Sequence, residues 1–211
     1  VNNNIEISGD FLKELRLLNS EVDRAAHSWI IFEESVRHFK EEQQDLVDAI
    51  NAADLGRTFN HIQMILLHDC VSTIYRIIEG KKRDCINVDF IVRELGAKLH
   101  STQSQQIAEI NKKRKYLKKS IDLENLRTFR NNNLGHLLRG ETPPTDYAPI
   151  PVIIAQLADI LEDCFFVLGS PRWVGQQTQE CNANRAASFW RRVEIGTPVA
   201  NIHANNIEKT K

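Results

Sequence analysis

Apolar side chains recur every three or four positions along most of this chain, the spacing that lines up one face of an α-helix. Phe11, Leu15, Leu18, Val22, Ala26, Trp29 and Ile30 keep that spacing behind a cap at Ser8. They predict a long first helix, broken between Phe32 and Lys40, whose second part carries Leu46, Val47 and Ile50. DLGRTFNHIQMILLHDCVSTIYRIIEGKK predicts a second long helix ending at Gly80. Phe59, Ile62, Met64, Ile65, Leu67, Cys70, Val71, Ile74 and Ile77 give it a broad apolar face. NVDFIVRELGAKLH reads as a shorter helix capped by Asn87 or Asp89, and STQSQQIAEINKKRKYLKK as a polar helix with a basic end. SIDLENLRTFRNNNLGHLLRG opens on Ser120 or Asp122, with Glu124 in its first turn, and is stopped by Gly140, Pro143 and Pro144. In PIPVIIAQLADILEDCFFVLG, Ile150, Ile153, Ile154, Leu157, Leu161, Cys164 and Leu168 mark the last strong helix. No segment alternates long enough to predict a strand.

The expected fold is therefore all-α, an up-and-down helical bundle of four or five main helices with additional short helices, spanning residues 8–168. Residues 169–211 read as a C-terminal extension, partly ordered, with a polar and mobile tail from Thr197.

Composition adds bounds. The 211 residues are 42% hydrophobic and 26% charged, with a formal net charge of -1, so any attraction for nucleic acid must be local. Cys70, Cys85, Cys164 and Cys181 are scattered without CxxC spacing, and Cys70 and Cys164 fall in apolar helical patterns that predict buried thiols. The opening VNNNIEISGDFLKE lacks a basic region followed by a hydrophobic run, and stretches such as IPVIIAQLADIL are too short and polar to span a bilayer. A cytoplasmic protein without membrane association is expected.

One stretch interrupts the regular pattern. LRTFRNNNLGHLLRG, residues 126–140, is helical in period yet carries three asparagines and a glycine, all poor helix formers, between Arg130 and His136. On an ideal helix Arg130 and His136 lie about 120° apart around the axis and about 9 Å along it, so one helix does not set them side by side. His136 shares a face with Asn132 and Asn133, whose amides suit the fixing of an imidazole tautomer, and Arg139 lies three residues beyond. Gly135 leaves room for close approach. Histidine matches general acid–base work near neutral pH, and arginine offers phosphate a planar fork of donors. Such a set suits RNA cleavage in which the 2′-hydroxyl attacks the adjacent phosphorus without a metal or other cofactor. The competing reading is a helix end with a surface histidine.

LRTFRNNNLGHLL resembles the hallmark of the HEPN family: an arginine, a polar residue and, a few positions on, a histidine, here Arg130, Asn131 and His136. The first helix with Trp29 and the segment FNHIQMILLHDCVSTIYRIIEG resemble the AbiU-like branch associated with abortive infection. The resemblance covers residues 10–168. It implies an all-helical homodimer whose two Arg–His motifs meet in one composite site, so that Arg130 of one chain serves the phosphate held by His136 of the other. It further implies a metal-independent ribonuclease of a toxin–antitoxin or phage-defence system, with an antitoxin protein as possible partner, although other members are non-catalytic binding modules. Asn133 and Gly135 depart from the basic or aromatic residue and the alanine more frequent there.

NKKRKYLKK adds a local basic run, Lys112, Lys113, Arg114, Lys115, Lys118 and Lys119 around Tyr116, suited to RNA phosphates and a stacked base, or to a solvated helix end. Glu33, Glu34, Glu41, Glu42 and Asp45 form an acidic counterpart. His61 and His68 share a helix face without the carboxylate of a zinc-protease motif, and Arg57 and Arg76 flank the same helix. GETPPTDYAP reads as a stiff excursion, a possible rim over the site. The leading expectation is a HEPN-type ribonuclease using Arg130 and His136, supported by Asn131, Asn132, Asn133 and Arg139. The rivals are a helical module that binds RNA, nucleotide or a protein, and a purely structural dimer.

Overall fold

The computed structural model of the chain describes residues 9–38, 44–52, 54–80, 86–99, 103–131 and 147–170. Among them are seven helices and no strand: α1 (Gly9–His38), α2 (Gln44–Ala52), α3 (Gly56–Glu79), α4 (Val88–Lys98), α5 (Ser104–Lys119), α6 (Ile121–Phe129) and α7 (Pro149–Val167). The protein is all-α, as its periodicity predicts. No helix among the described residues is long and apolar enough to cross a membrane.

These residues group into two compact units, and both α1 and α3 contribute to each. The first unit takes the start of α1 up to residue 26, the end of α3 from residue 68, and α4 to α7. Its centre is α7, whose Ile153, Leu157, Ile160, Leu161 and Cys164 are almost wholly buried, and which packs against α5 and α6. α5 runs antiparallel to α7: Gln103, at the head of α5, donates to the Val167 carbonyl at the foot of α7 at 3.0 Å. Phe11, Leu15, Leu18 and Val22 of α1, spaced by three and four, are buried as their period requires.

Side-chain caps set several boundaries. Asn87 accepts from the Phe90 amide at 2.8 Å and donates to the Gly80 carbonyl at 2.6 Å, tying the end of α3 to the start of α4. Of the two caps the sequence offers there, Asn87 is the one used. Ser120 ends α5 and begins α6 at once. Its hydroxyl donates to the Leu117 carbonyl at 2.9 Å and accepts from the Leu123 amide at 3.2 Å, with Asp122 and Glu124 in the positive first turn of α6. Ser120→Ala is expected to lower stability by about 1 kcal/mol, measured by urea unfolding.

The second unit takes residues 27–38 of α1, α2, and residues 56–67 of α3. Trp29 and Phe32 meet at 5.6 Å between ring centroids. α2 turns into α3 through Asp54, whose φ of 55° lies in the left-handed region that aspartate tolerates, and the Leu55 amide donates to the Ile50 carbonyl at 3.0 Å. A shallow cleft of about 200 Å³ lies between the two helices, lined by Val47, Ile50, Asn51, Gly56, Phe59, Asn60 and Gln63.

α1 ends at His38, within the Phe32–Lys40 interval where the break is expected, and α2, which contains Leu46, Val47 and Ile50, opens at Gln44. One expectation shifts. The broad apolar face expected on α3 is narrower: Leu67, Cys70, Val71, Ile74 and Ile77 are buried, while Ile62 and Ile65 are 42% and 54% exposed. At 100° per residue, Ile65 and Ile62 lie about 160° and 140° around the axis from Leu67, on the opposite side. Of the helix expected from Ser120 to Gly140, α6 covers the part up to Phe129 and Arg130 and Asn131 continue it, while residues 132–140 lie outside the described residues. The cap at Ser8 and the tail from residue 171 lie outside the described residues.

Candidate functional site

α6 buries Leu123, Leu126 and Phe129, which recur every third residue; Arg127 leaves that face to one side, while Arg130, four residues past Leu126, stays on it and meets the Tyr75 ring. Phe129 meets Tyr147 edge-on at 5.8 Å. Beyond Phe129 the backbone widens into a π-type turn at Arg130 and Asn131, both exposed. Local widening of this kind is frequent at functional sites.

The two arginines differ in what they touch. Arg127 is neutralised twice: its Nε donates to Glu79 Oε1 at 2.9 Å, with Nη2 on the same oxygen, and Nη1 donates to Glu124 Oε2 at 2.9 Å. Those bonds, Glu79 first, hold its guanidinium more firmly charged than usual. Arg130 has no carboxylate partner among the described residues, and its guanidinium carbon lies 4.3 Å from the centre of the Tyr75 ring. A cation over an aromatic face gains about 0.5–2 kcal/mol and gives up none of its hydrogen-bond donors. Tyr75 comes from α3, is 6% exposed, and keeps its hydroxyl buried without a hydrogen-bond partner among the described residues. Burial, reinforced by Glu79 and opposed by Arg130 and Arg127, pushes the phenol up to about 12. Because that hydroxyl bonds to none of the described residues, Tyr75→Phe is expected to leave the melting temperature unchanged or raise it slightly.

The structure places Arg130 and Asn131 at the end of α6. Asn132, Asn133, His136 and Arg139, with Gly135 between them, lie outside the described residues, as does all of the proline-rich excursion except Tyr147, Ala148 and Pro149. Tyr75, Glu79 and Arg127 were not singled out by sequence. Their partners are distant in the chain, and Tyr75 fits the apolar period of α3 as ordinary core. The one available signal was a tyrosine beside a charged residue, STIYRIIEG, on an otherwise apolar face.

The basic run divides by direction. Lys113 reaches Asp159 at 2.9 Å and Asp163 at 2.7 Å on α7; burial works against its charge, and those two bonds more than offset it, so its pKa is raised. Arg114 pairs with Asp89 of α4 at 3.1 Å, and Lys118 takes the other oxygen of the same carboxylate. Among the described residues Lys112 meets only Glu109, one turn back, at 3.5 Å, where both side chains are largely exposed. Lys115 and Lys119 are exposed without a carboxylate partner among the described residues, and Tyr116 is 68% exposed. Of the other charged candidates, Arg76 pairs with Glu21 and Glu34 with Arg37, while Arg57 and Glu33 are exposed. Glu41, Glu42 and the side chain of Asp45 are not described. His61 and His68 are both exposed, and among the described residues no three His, Cys, Asp or Glu side chains gather as a metal site would require.

Cys70 and Cys164 are buried free thiols. Burial first, and then Asp69 and Asp163 respectively, pushes each from 9.0 up to about 12. An unfolded chain releases these protons above pH 9 while the native state keeps them, so stability is complete below that pH and falls as pH rises toward 12. Tyr75 adds to the loss above pH 10. Urea midpoints should therefore drop between pH 8 and 10.5, and Cys70→Ala with Cys164→Ala should flatten the decline.

Comparison of the chain with family models, curated proteins and solved structures finds no match.

Proposed function

We propose that the chain is a HEPN-type, metal-independent endoribonuclease acting in phage defence, with Arg130 and His136 of two chains meeting in a composite site at a homodimer interface. The observation that supports this reading most is the state of Arg130. It is the exposed cation of its cluster, it rests on the Tyr75 ring, and it lacks a carboxylate among the described residues while Arg127 beside it has two. A guanidinium held in place with its donors unspent suits an arriving phosphate.

In the proposed reaction His136 takes the proton of an RNA 2′-hydroxyl, whose oxygen then attacks the adjacent phosphorus. The phosphorus–5′-oxygen bond breaks, the leaving oxygen takes up a proton, and a 2′,3′-cyclic phosphate remains. Arg130 offsets the charge that builds on the non-bridging oxygens. A toxin of this kind, working in the cytoplasm, would need an antitoxin to restrain it.

The second reading is a helical module that binds RNA without cutting it, favoured by the exposed Lys115, Tyr116 and Lys119. Incubation of the purified protein with single-stranded RNA and tRNA in EDTA separates the two. Fragments ending in 2′,3′-cyclic phosphate support the enzyme. Binding without fragments supports the module, and inertness toward both RNAs overturns the two readings together.

A further inference from the structure

We infer that the outward face of α5, formed by Lys112, Lys115, Tyr116 and Lys119, is a docking track for single-stranded nucleic acid, with Tyr116 stacking on an unpaired base between lysine-held phosphates. The inference rests on α5 and its neighbours, and stands whether or not Arg130 and His136 cleave what binds.

The roll of α5 about its axis carries the argument. Ile110 and Leu117 are its buried residues, and at 100° per residue they point within about 20° of each other. Lys113 lies about 40° to one side of Leu117 and is bound by Asp159 and Asp163. Arg114 and Lys118, about 60° and 100° to the other side, are bound by Asp89. Three ion-paired cations thus flank the buried side and fix which face looks outward. The cations left over are not scattered. Lys112, Lys115 and Lys119 fall with Tyr116 inside an arc of about 100°, opposite the core, over about 10 Å of helix. Glu109, already beside Lys112, is the acidic neighbour on that face.

A tyrosine 68% exposed, with an ammonium one turn before it, another beside it and a third nearly one turn after, alternates flat apolar surface with point charge. That pattern matches the alternation of base and phosphate along a single strand. A duplex hides the base faces that the ring would need, and its phosphates alone would leave Tyr116 unused. Lysines are hydrated point charges without the fork of arginine, which predicts tolerance of sequence.

The test uses the full chain and a fluorescein-labelled single-stranded RNA whose 2′-oxygens are all methylated, so that attack by a 2′-hydroxyl cannot occur and binding is read apart from cleavage. Anisotropy titrations at low salt should show binding to the single strand, with the same RNA annealed to its complement bound less tightly. Tyr116→Ala should weaken single-strand binding about tenfold or more, and Tyr116→Trp should preserve it. Changing Lys112, Lys115 and Lys119 together to glutamine should reduce the slope of log affinity against log salt by about 2. These side chains are exposed, so thermal melts of the variants should match the parent. Failure of the parent to bind, equal affinity for the duplex, or indifference to Tyr116→Ala overturns the inference. Binding of the methylated strand by a protein that does not cut unmodified RNA upholds the track and overturns the nuclease reading.

Discussion

Arg130→Ala is expected to slow RNA cleavage by about two to three orders of magnitude, the loss seen when a comparable donor to a developing oxyanion is removed. The effect should fall mainly on the turnover rate, because the charge that Arg130 offsets grows as the 2′-oxygen bonds to phosphorus. Arg130 is exposed and its stabilising contact is with one face of Tyr75, so its truncation should lower the melting temperature by no more than about a few degrees. His136→Ala should abolish cleavage. In a two-fold dimer with shared sites, mixing the two inactive variants makes heterodimers in which one site combines both altered residues and the other combines both intact ones. Random exchange should then restore about a quarter of the parent activity. Parent-like cleavage by both variants would sink the catalytic assignment. Two dead variants whose mixture stays dead would sink the sharing of sites, as would a single-chain mass of 24.2 kDa by light scattering at micromolar concentration.

The largest loss of stability is expected at Leu157→Ala. Leu157 is wholly buried in the middle of α7, the helix against which α5 and α6 both pack. Truncation there leaves a cavity that helices on two sides cannot readily close, and should lower the unfolding free energy by about 3 kcal/mol. Chemical denaturation should report the change as a shift in midpoint at constant slope. Because α6 delivers Arg130, loss of α7 packing should also lower activity near the melting range while sparing it at low temperature. A loss below about 1 kcal/mol would mean that α7 does not hold the centre of its unit.

Helix positions were legible because burial acts on every third and fourth residue, and a run such as Phe11, Leu15, Leu18 and Val22 states its inward face directly. Caps were legible for the same local reason: Asn87 and Ser120 bond to amides three residues on. The width of an apolar face was less so. A count of apolar residues in α3 included Ile62 and Ile65, though their angle sets them away from Leu67. Partnerships between distant segments were not legible. Nothing in NKKRKYLKK says that Lys113 belongs to α7 or that Arg114 and Lys118 share Asp89, and six equivalent charges became two groups only once α4 and α7 were in place. At the candidate site the sequence singled out Arg130 by its motif. It could not supply Tyr75, because a tyrosine in apolar spacing looks the same whether or not an arginine lies over it.

The junction at Ser120 has a consequence for how this protein tolerates change in length. α5 and α6 meet at one residue whose hydroxyl serves both helices, with no loop to absorb an added codon. One extra residue there would turn α6 by about 100° relative to α5, driving Leu123 and Leu126 out of the core and swinging Arg130 off Tyr75. The spacing between the lysine-bearing face of α5 and Arg130 is thus held by chain connectivity, as a rigid ruler would hold it. In a library of single-residue insertions, positions 119–121 should be among the most depleted of functional survivors.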